Sequence, residues 1–214
     1  MLRIWGRADS SNVQAVMWGV GELGLDYERL DIGNRFGGND TPEFIALNPN
    51  RTVPVLQDDD GLVIWESAAI LRHLARKYGV PPFWPETLAE KARVDQWAEW
   101  AKVNIAGGFT VPVFWRVVRT APSKQDPAAI AAALKYLGRF LDIAEQQLAR
   151  HDYLAGEEFT LADIMIGHVL YRYFDIGIER PDRQHLAHYY RRLTERPAFR
   201  EHVMVSYEAL RVSD

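Results

Sequence analysis

Two short stretches carry groups that could recognise a charged peptide. Thr52-Val53-Pro54-Val55-Leu56 sets a proline among apolar strand residues. Proline cannot donate to a sheet ladder and survives there only at an edge or a bend, so this edge is open to a peptide backbone. Shortly after it, Ile64-Trp65-Glu66-Ser67-Ala68-Ala69-Ile70 puts an acid and a hydroxyl where a helix begins. Glu66 can accept from an ammonium, while Ser67 and the free N–H groups of the helix it opens can donate to a carboxylate. An exposed strand edge beside a charge-reading helix start suits a small zwitterionic peptide. The plainer reading, a solvated Glu66 and a Ser67 that merely caps its helix, competes for Ser67 taken alone. A third polar cluster, Ser10-Ser11-Asn12, stands where an earlier helix begins, and each of the three could be its cap.

Several elements must hold these groups together. Leu2 to Arg7 reads as a strand, Ser10 to about Gly24 as an amphipathic helix and Tyr27 to Ile32 as a strand, a βαβ unit that implies a parallel pair. After a polar, glycine-rich loop at 33–40, Thr41-Pro42-Glu43 opens a short helix with a hydroxyl cap and proline in its first turn. Strands at 53–57 and 62–65 flank the turn Asp58-Asp59-Asp60-Gly61, and a helix from Ser67 to Tyr78 follows. The sum is a small mixed sheet with helices packed on it, over residues 1–78. The prolines of Gly79-Val80-Pro81-Pro82-Phe83-Trp84-Pro85 mark a linker at 79–87. Residues 88–214 show only helical periods, at about 88–118, 127–149, 160–176, 184–195 and from Pro197, hence an all-α second domain. Thr160-Leu161-Ala162-Asp163, a hydroxyl followed three residues later by an acid, is an N-cap signature assigned to folding.

Composition narrows the chemistry. With no cysteine among 214 residues, disulfides, thiolate metal sites and a cysteine nucleophile are excluded, and any sulfur chemistry must use a ligand's sulfur. The net charge of −4 argues against nucleic acid as a partner. His168 and His188 fall in helical stretches without metal-ligand spacing, so no metal is expected. The start of the chain lacks the long apolar segment of a signal peptide and no run is long enough to span a bilayer, which points to a cytoplasmic protein without membrane contact.

These motifs, in this order, resemble the soluble glutathione transferase superfamily over essentially the whole chain, and its bacterial members with Ser or Asn at the first helix in particular. The resemblance implies an α/β thioredoxin-like N-terminal domain followed by an all-α C-terminal domain, working as a homodimer with glutathione as co-substrate. It implies a cis Val53-Pro54 bond, with the Val53 backbone pairing to the cysteinyl part of glutathione, and Glu66 and Ser67 reading the γ-glutamyl group. It also implies that Phe159-Thr160-Leu161-Ala162-Asp163 is the family's folding motif.

A thiol with a pKa of about 8.5 is only a few per cent ionised at neutral pH, so the site must favour the thiolate. A hydroxyl at the start of the first helix would do so by hydrogen bonding, aided by the helix dipole. Aligned on Ala15-Val16, Ser10 falls at the family's serine or threonine, and Asn12 at an asparagine some bacterial members use; Ser11 lies between them. Thr52 stands where the family commonly has Lys or Gln for the glycine carboxylate; Arg51 beside it or Arg35 on the glycine-rich loop could supply that charge, the plainer reading being that both are solvated surface arginines. Gln14 replaces an arginine of several subfamilies and disfavours the maleylacetoacetate isomerases. Pro112 in the aromatic run Phe109 to Arg116 suggests a break near the cleft, which makes Phe109 and Trp115 candidates for the pocket of a small-molecule electrophile, against the plainer reading that aromatics at helical spacing are core. The function implied is conjugation of glutathione to an apolar electrophile. Glutathione-dependent disulfide reduction or peroxidation, and a non-catalytic binding or scaffold role, are the alternatives.

Overall fold

A computed structural model describes residues 1–214. The sheet runs in the order β2-β1-β3-β4, built from β1 (Leu2–Trp5), β2 (Tyr27–Leu30), β3 (Val55–Gln57) and β4 (Val63–Trp65). β1 pairs in parallel with β2 through the right-sized crossover α1 (Ser11–Glu22), and antiparallel with β3, which pairs antiparallel with β4. The strands are shorter than the sequence pattern implied. β3 starts only after Pro54, which has no N–H to offer a ladder. On β1, Leu2 and Ile4 point into the core while Arg3 faces out, the alternation a half-buried strand requires. The turn between β3 and β4 closes with the Gly61 N–H donating to Asp58 C=O.

Several helix starts carry side-chain caps. Thr41 accepts from the Phe44 N–H at α2 (Pro42–Leu47), and Asp126 from Ala129 at α7 (Pro127–Leu148). At α8 (Leu161–Asp175), Thr160 and Asp163 form a reciprocal capping box, and buried Asp163 also accepts from the Leu154 N–H and from Tyr189 Oη of α9 (Gln184–Thr194). A tenth helix, α10, spans Pro197–His202.

The first helix of the second half is continuous from Leu88 to Val118, but not uniform. α4 (Leu88–Trp100) passes into a wider π segment at Ala101–Ala106, a short α5 (Gly107–Phe109), a second π segment at Thr110–Trp115 and α6 (Arg116–Val118). The break expected at Pro112 is therefore absent. Pro112 sits in the second π segment, where the altered bonding register accommodates a residue without an N–H.

The two halves share one core. α1 lies between α3 (Ser67–Tyr78) on the sheet side and α8 and α10 on the helical side. Its Trp18 is fully buried, with its ring 4.8 Å from Phe199 and 5.5 Å from Phe159. Arg196 holds Glu22 in a bidentate pair at 2.7 and 2.6 Å, and Arg72 of α3 binds Asp95 and Glu99 of α4, each at 2.6 Å. Trp97 and Trp100, at 5.1 Å in a T-shaped pair, pack partly buried against the core. No helix is long and apolar enough to cross a membrane.

Candidate functional site

The start of α1 is built to present Ser10. The residue is extended at φ −90° and ψ 123°, its C=O accepts from the Gln14 N–H, and its hydroxyl makes no capping bond. Capping, the plainer role open to Ser10, is thus not what its side chain does. Half-buried at the helix start, that hydroxyl is uncommitted. The preceding turn is held firmly: buried Asp9 accepts from Arg7 at 3.0 Å and Arg35 at 2.6 Å, and Arg172 of α8 donates to the Asp9 C=O at 2.7 Å. Arg172 lies over the Phe114 ring, and burial, with the charge of Arg7, lowers its pKa to about 10.

Ser67 does not cap its helix either. The N-cap position of α3 is Glu66, in the left-handed region at φ 72°, and Ser67 is the first helical residue, 2 % exposed. Its hydroxyl faces Asn12 Oδ1 at 3.4 Å, which joins the starts of α1 and α3. Lys102, from the first π segment, closes the triangle, donating to Asn12 Oδ1 at 2.7 Å and to Ser67 Oγ at 2.9 Å. Burial lowers its pKa against the opposing pull of Glu66 and Glu99. Glu66 itself is exposed, and its carboxylate has no hydrogen-bond or ion-pair partner.

The Val53-Pro54 bond is cis, and Val53 enters none of the turn or loop backbone bonds. Arg51 is exposed at φ 56° and makes no ion pair, whereas Arg35 is committed to Asp9. Thr52 is tied to Asn48, whose amide donates to the Thr52 C=O and hydroxyl. Ser11 is buried in the first turn of α1.

The N-terminal domain model of glutathione S-transferases matches residues 9–77, and the C-terminal domain model matches residues 108–197. Glutathione S-transferase GstB of Escherichia coli is 37% identical over 206 residues, 96% of this chain and 99% of that protein. The chain belongs to the glutathione S-transferase family. A theta class glutathione S-transferase from Xanthomonas axonopodis pv. citri, solved with glutathione bound, superimposes with a TM-score of 0.90 at 45% identity, covering 96% of this chain and 98% of that one. The disulfide-bond oxidoreductase YghU of E. coli is 31% identical over 154 residues, 69% of this chain but 50% of that protein.

Within this transferase fold, the structure gathers Ser10, Asn12 and Ser67 at two adjoining helix starts. Phe109 requires correction. It is 1% exposed and packed against Phe114 and Tyr173, because the helix runs on through Pro112 and turns that face into the core. Trp115 is 42% exposed, with the Arg119 guanidinium lying over its ring, 4.2 Å from the centroid. Lys102 went unnoticed in the sequence, although it is the only charged residue between Glu99 and Arg116. That isolation in an apolar stretch was the available signal. The acidic triad Asp58-Asp59-Asp60 is engaged by neighbours within the chain. Lys77 pairs with all three, and His73 and Tyr78 bond Asp58. Burial would raise the Asp58 pKa, but these bonds outweigh it and hold the carboxyl well below its usual range.

Proposed function

We propose that this glutathione transferase binds glutathione along the Val53 edge, activates its thiol through Ser10 and joins the thiolate to an electrophile with an apolar body. The observation that carries the reading is the free Ser10 hydroxyl at the start of a twelve-residue helix. A hydroxyl donor there, with the positive end of the helix dipole, stabilises the thiolate over the thiol. Lowering a thiol pKa by about one to two units takes roughly 1.4 to 2.8 kcal/mol, within the range of one charge-assisted hydrogen bond plus a dipole. No general base is needed, since the thiol proton can leave to solvent before the electrophile arrives.

The cysteinyl N–H and C=O pair with the Val53 backbone. Glu66 accepts from the γ-glutamyl ammonium, and Ser67 with the first N–H groups of α3 donates to the α-carboxylate. At the other end of the tripeptide, the unpaired Arg51 is better placed in charge terms than Arg35 to take the glycine carboxylate. Trp115 offers an aromatic wall for the electrophile. The working form in this reading is a cytoplasmic homodimer. A disulfide-reductase role would lean on Asn12, whose Oδ1 accepts from Lys102 and Ser67 while its amide N–H group is the part that would meet a thiol, so separate Ser10→Ala and Asn12→Ala variants distinguish the two readings.

The test is a pH titration of the thiolate absorbance of glutathione bound to the protein and to Ser10→Ala. The wild-type midpoint should fall clearly below that of free glutathione, and the variant's should rise by about one to two units. Bound thiol that titrates like free thiol in the wild type removes the proposal.

A further inference from the structure

Lys102 is a cation without an anion. It is half-buried, and two of its three N–H donors meet neutral oxygens, those of Asn12 and Ser67. It forms no ion pair with any carboxylate of the chain; Glu66 and Glu99 act on it only through their more distant charges, and the other titratable group that faces it is His168, which is buried and neutral. Withdrawing an ammonium from water without a counter-ion is costly, and such a charge is ordinarily paired or serves a ligand. The position supports the second case. The ammonium touches Ser67 Oγ, the first side chain of α3, where the helix's free N–H groups also point.

We propose that Lys102 is the counter-ion for the α-carboxylate of the γ-glutamyl group, so that the helical half of the molecule reads the same end of glutathione as Glu66 and Ser67. This rests on the glutathione-binding reading above and adds a residue and a domain to it. The lysine ammonium lies 2.9 Å from Ser67 Oγ, so a carboxylate that accepts from this hydroxyl with one oxygen is brought beside the charge and can turn its second oxygen toward it. The zwitterionic end of the ligand then meets a matching pair. Glu66 stands exposed and unpartnered for the ammonium, and Lys102 is desolvated and unpartnered for the carboxylate. The π segment is the structural means. A wider turn at Ala101–Ala106 shifts the helical register and carries Lys102 across the seam, to side chains 90 and 35 residues away in sequence.

The experiment is calorimetric binding of two tripeptides, glutathione and 4-aminobutanoyl-cysteinylglycine, which lacks only the α-carboxylate, to the wild type, Lys102→Met and Lys102→Gln. The glutamine variant keeps a donor for Asn12 and Ser67 while losing the charge, which separates charge from packing should the methionine variant fold poorly. The wild type should prefer glutathione over the analogue by about 10- to 100-fold. Both variants should lose glutathione affinity by a similar factor and bind the analogue as the wild type does. Equal weakening of both peptides would overturn the proposal. So would unchanged glutathione affinity with a raised midpoint for the bound thiol, which would make Lys102 a partner of the thiolate instead. A wild type that binds neither peptide would remove the glutathione reading itself, a failure distinct from both.

Discussion

His168 shows how strongly a single buried side chain is conditioned by its surroundings. Its Nδ1–H donates to the Ile164 C=O at 3.0 Å, its Nε2 has no partner, and burial, reinforced by the charge of Lys102, lowers its pKa from 6.5 to about 3. The folded protein therefore holds this imidazole neutral where the unfolded chain would protonate it. Between about pH 6.5 and pH 3 the unfolded state binds more protons. The stabilising contribution is complete above pH 6.5 and is lost as pH falls, by at most about 1.4 kcal/mol per unit. Asp163 acts in the opposite sense. Burial pushes its pKa up to about 6 against four hydrogen bonds, so between about pH 3.8 and 6 its contribution weakens as pH rises. The two slopes partly cancel in the wild type, and the diagnostic is a difference. In urea unfolding across this window, His168→Gln should lose less stability on acidification than the wild type, and parallel curves would show that His168 does not titrate this way.

At the scale of elements, the packing of α1 against α8 is set by a missing side chain. A Cβ on Gly167 would meet the Trp18 ring and Leu193 Cδ1 at 2.7 Å, well inside contact distance. Both neighbours are fully buried, so neither can swing away. Gly167→Ala should therefore destabilise the protein by about 1 to 3 kcal/mol, seen as a lower urea midpoint with an unchanged slope. An unchanged midpoint would mean that the seam is looser than it looks. Much of this level was readable beforehand. The hydroxyl-acid spacing of Thr160 and Asp163 located the start of α8 within a residue, and the Asp58 to Gly61 turn located the hairpin, because both signals are local. Strand ends were overextended, since period-2 patterning continues past the point where Pro54 ends the ladder. Phe109 was misjudged because an aromatic run does not say which side of a helix is buried, and two π segments altered the phase. The partners of Lys102 lay beyond reach for a different reason: its isolation marks the residue, but no local pattern encodes an encounter across 90 residues.

For the whole molecule, the consequence is cooperativity. One cluster of 46 buried apolar residues extends from Leu2 to Leu210 and takes in both halves. Arg196–Glu22, Arg72–Asp95 and Arg172 on the Asp9 C=O cross the same seam. A sheet half left alone would expose Trp18 and the outer face of α1, so neither half has a complete core of its own. Thermal unfolding at fixed protein concentration should therefore follow one transition, with tryptophan fluorescence and far-UV circular dichroism superimposing. Two resolved transitions would show that the halves melt separately.

The close fit of Trp18 over Gly167 also bears on heredity. Two halves joined by a linker look like modules that recombination could exchange between relatives. Here the slot is cut in one half and the ring that fills it belongs to the other, so an exchanged segment must arrive with a glycine at that point or the hybrid meets a clash at its centre. Exchange between relatives is thereby favoured where the incoming half carries that glycine, and change at the seam is favoured in matched pairs.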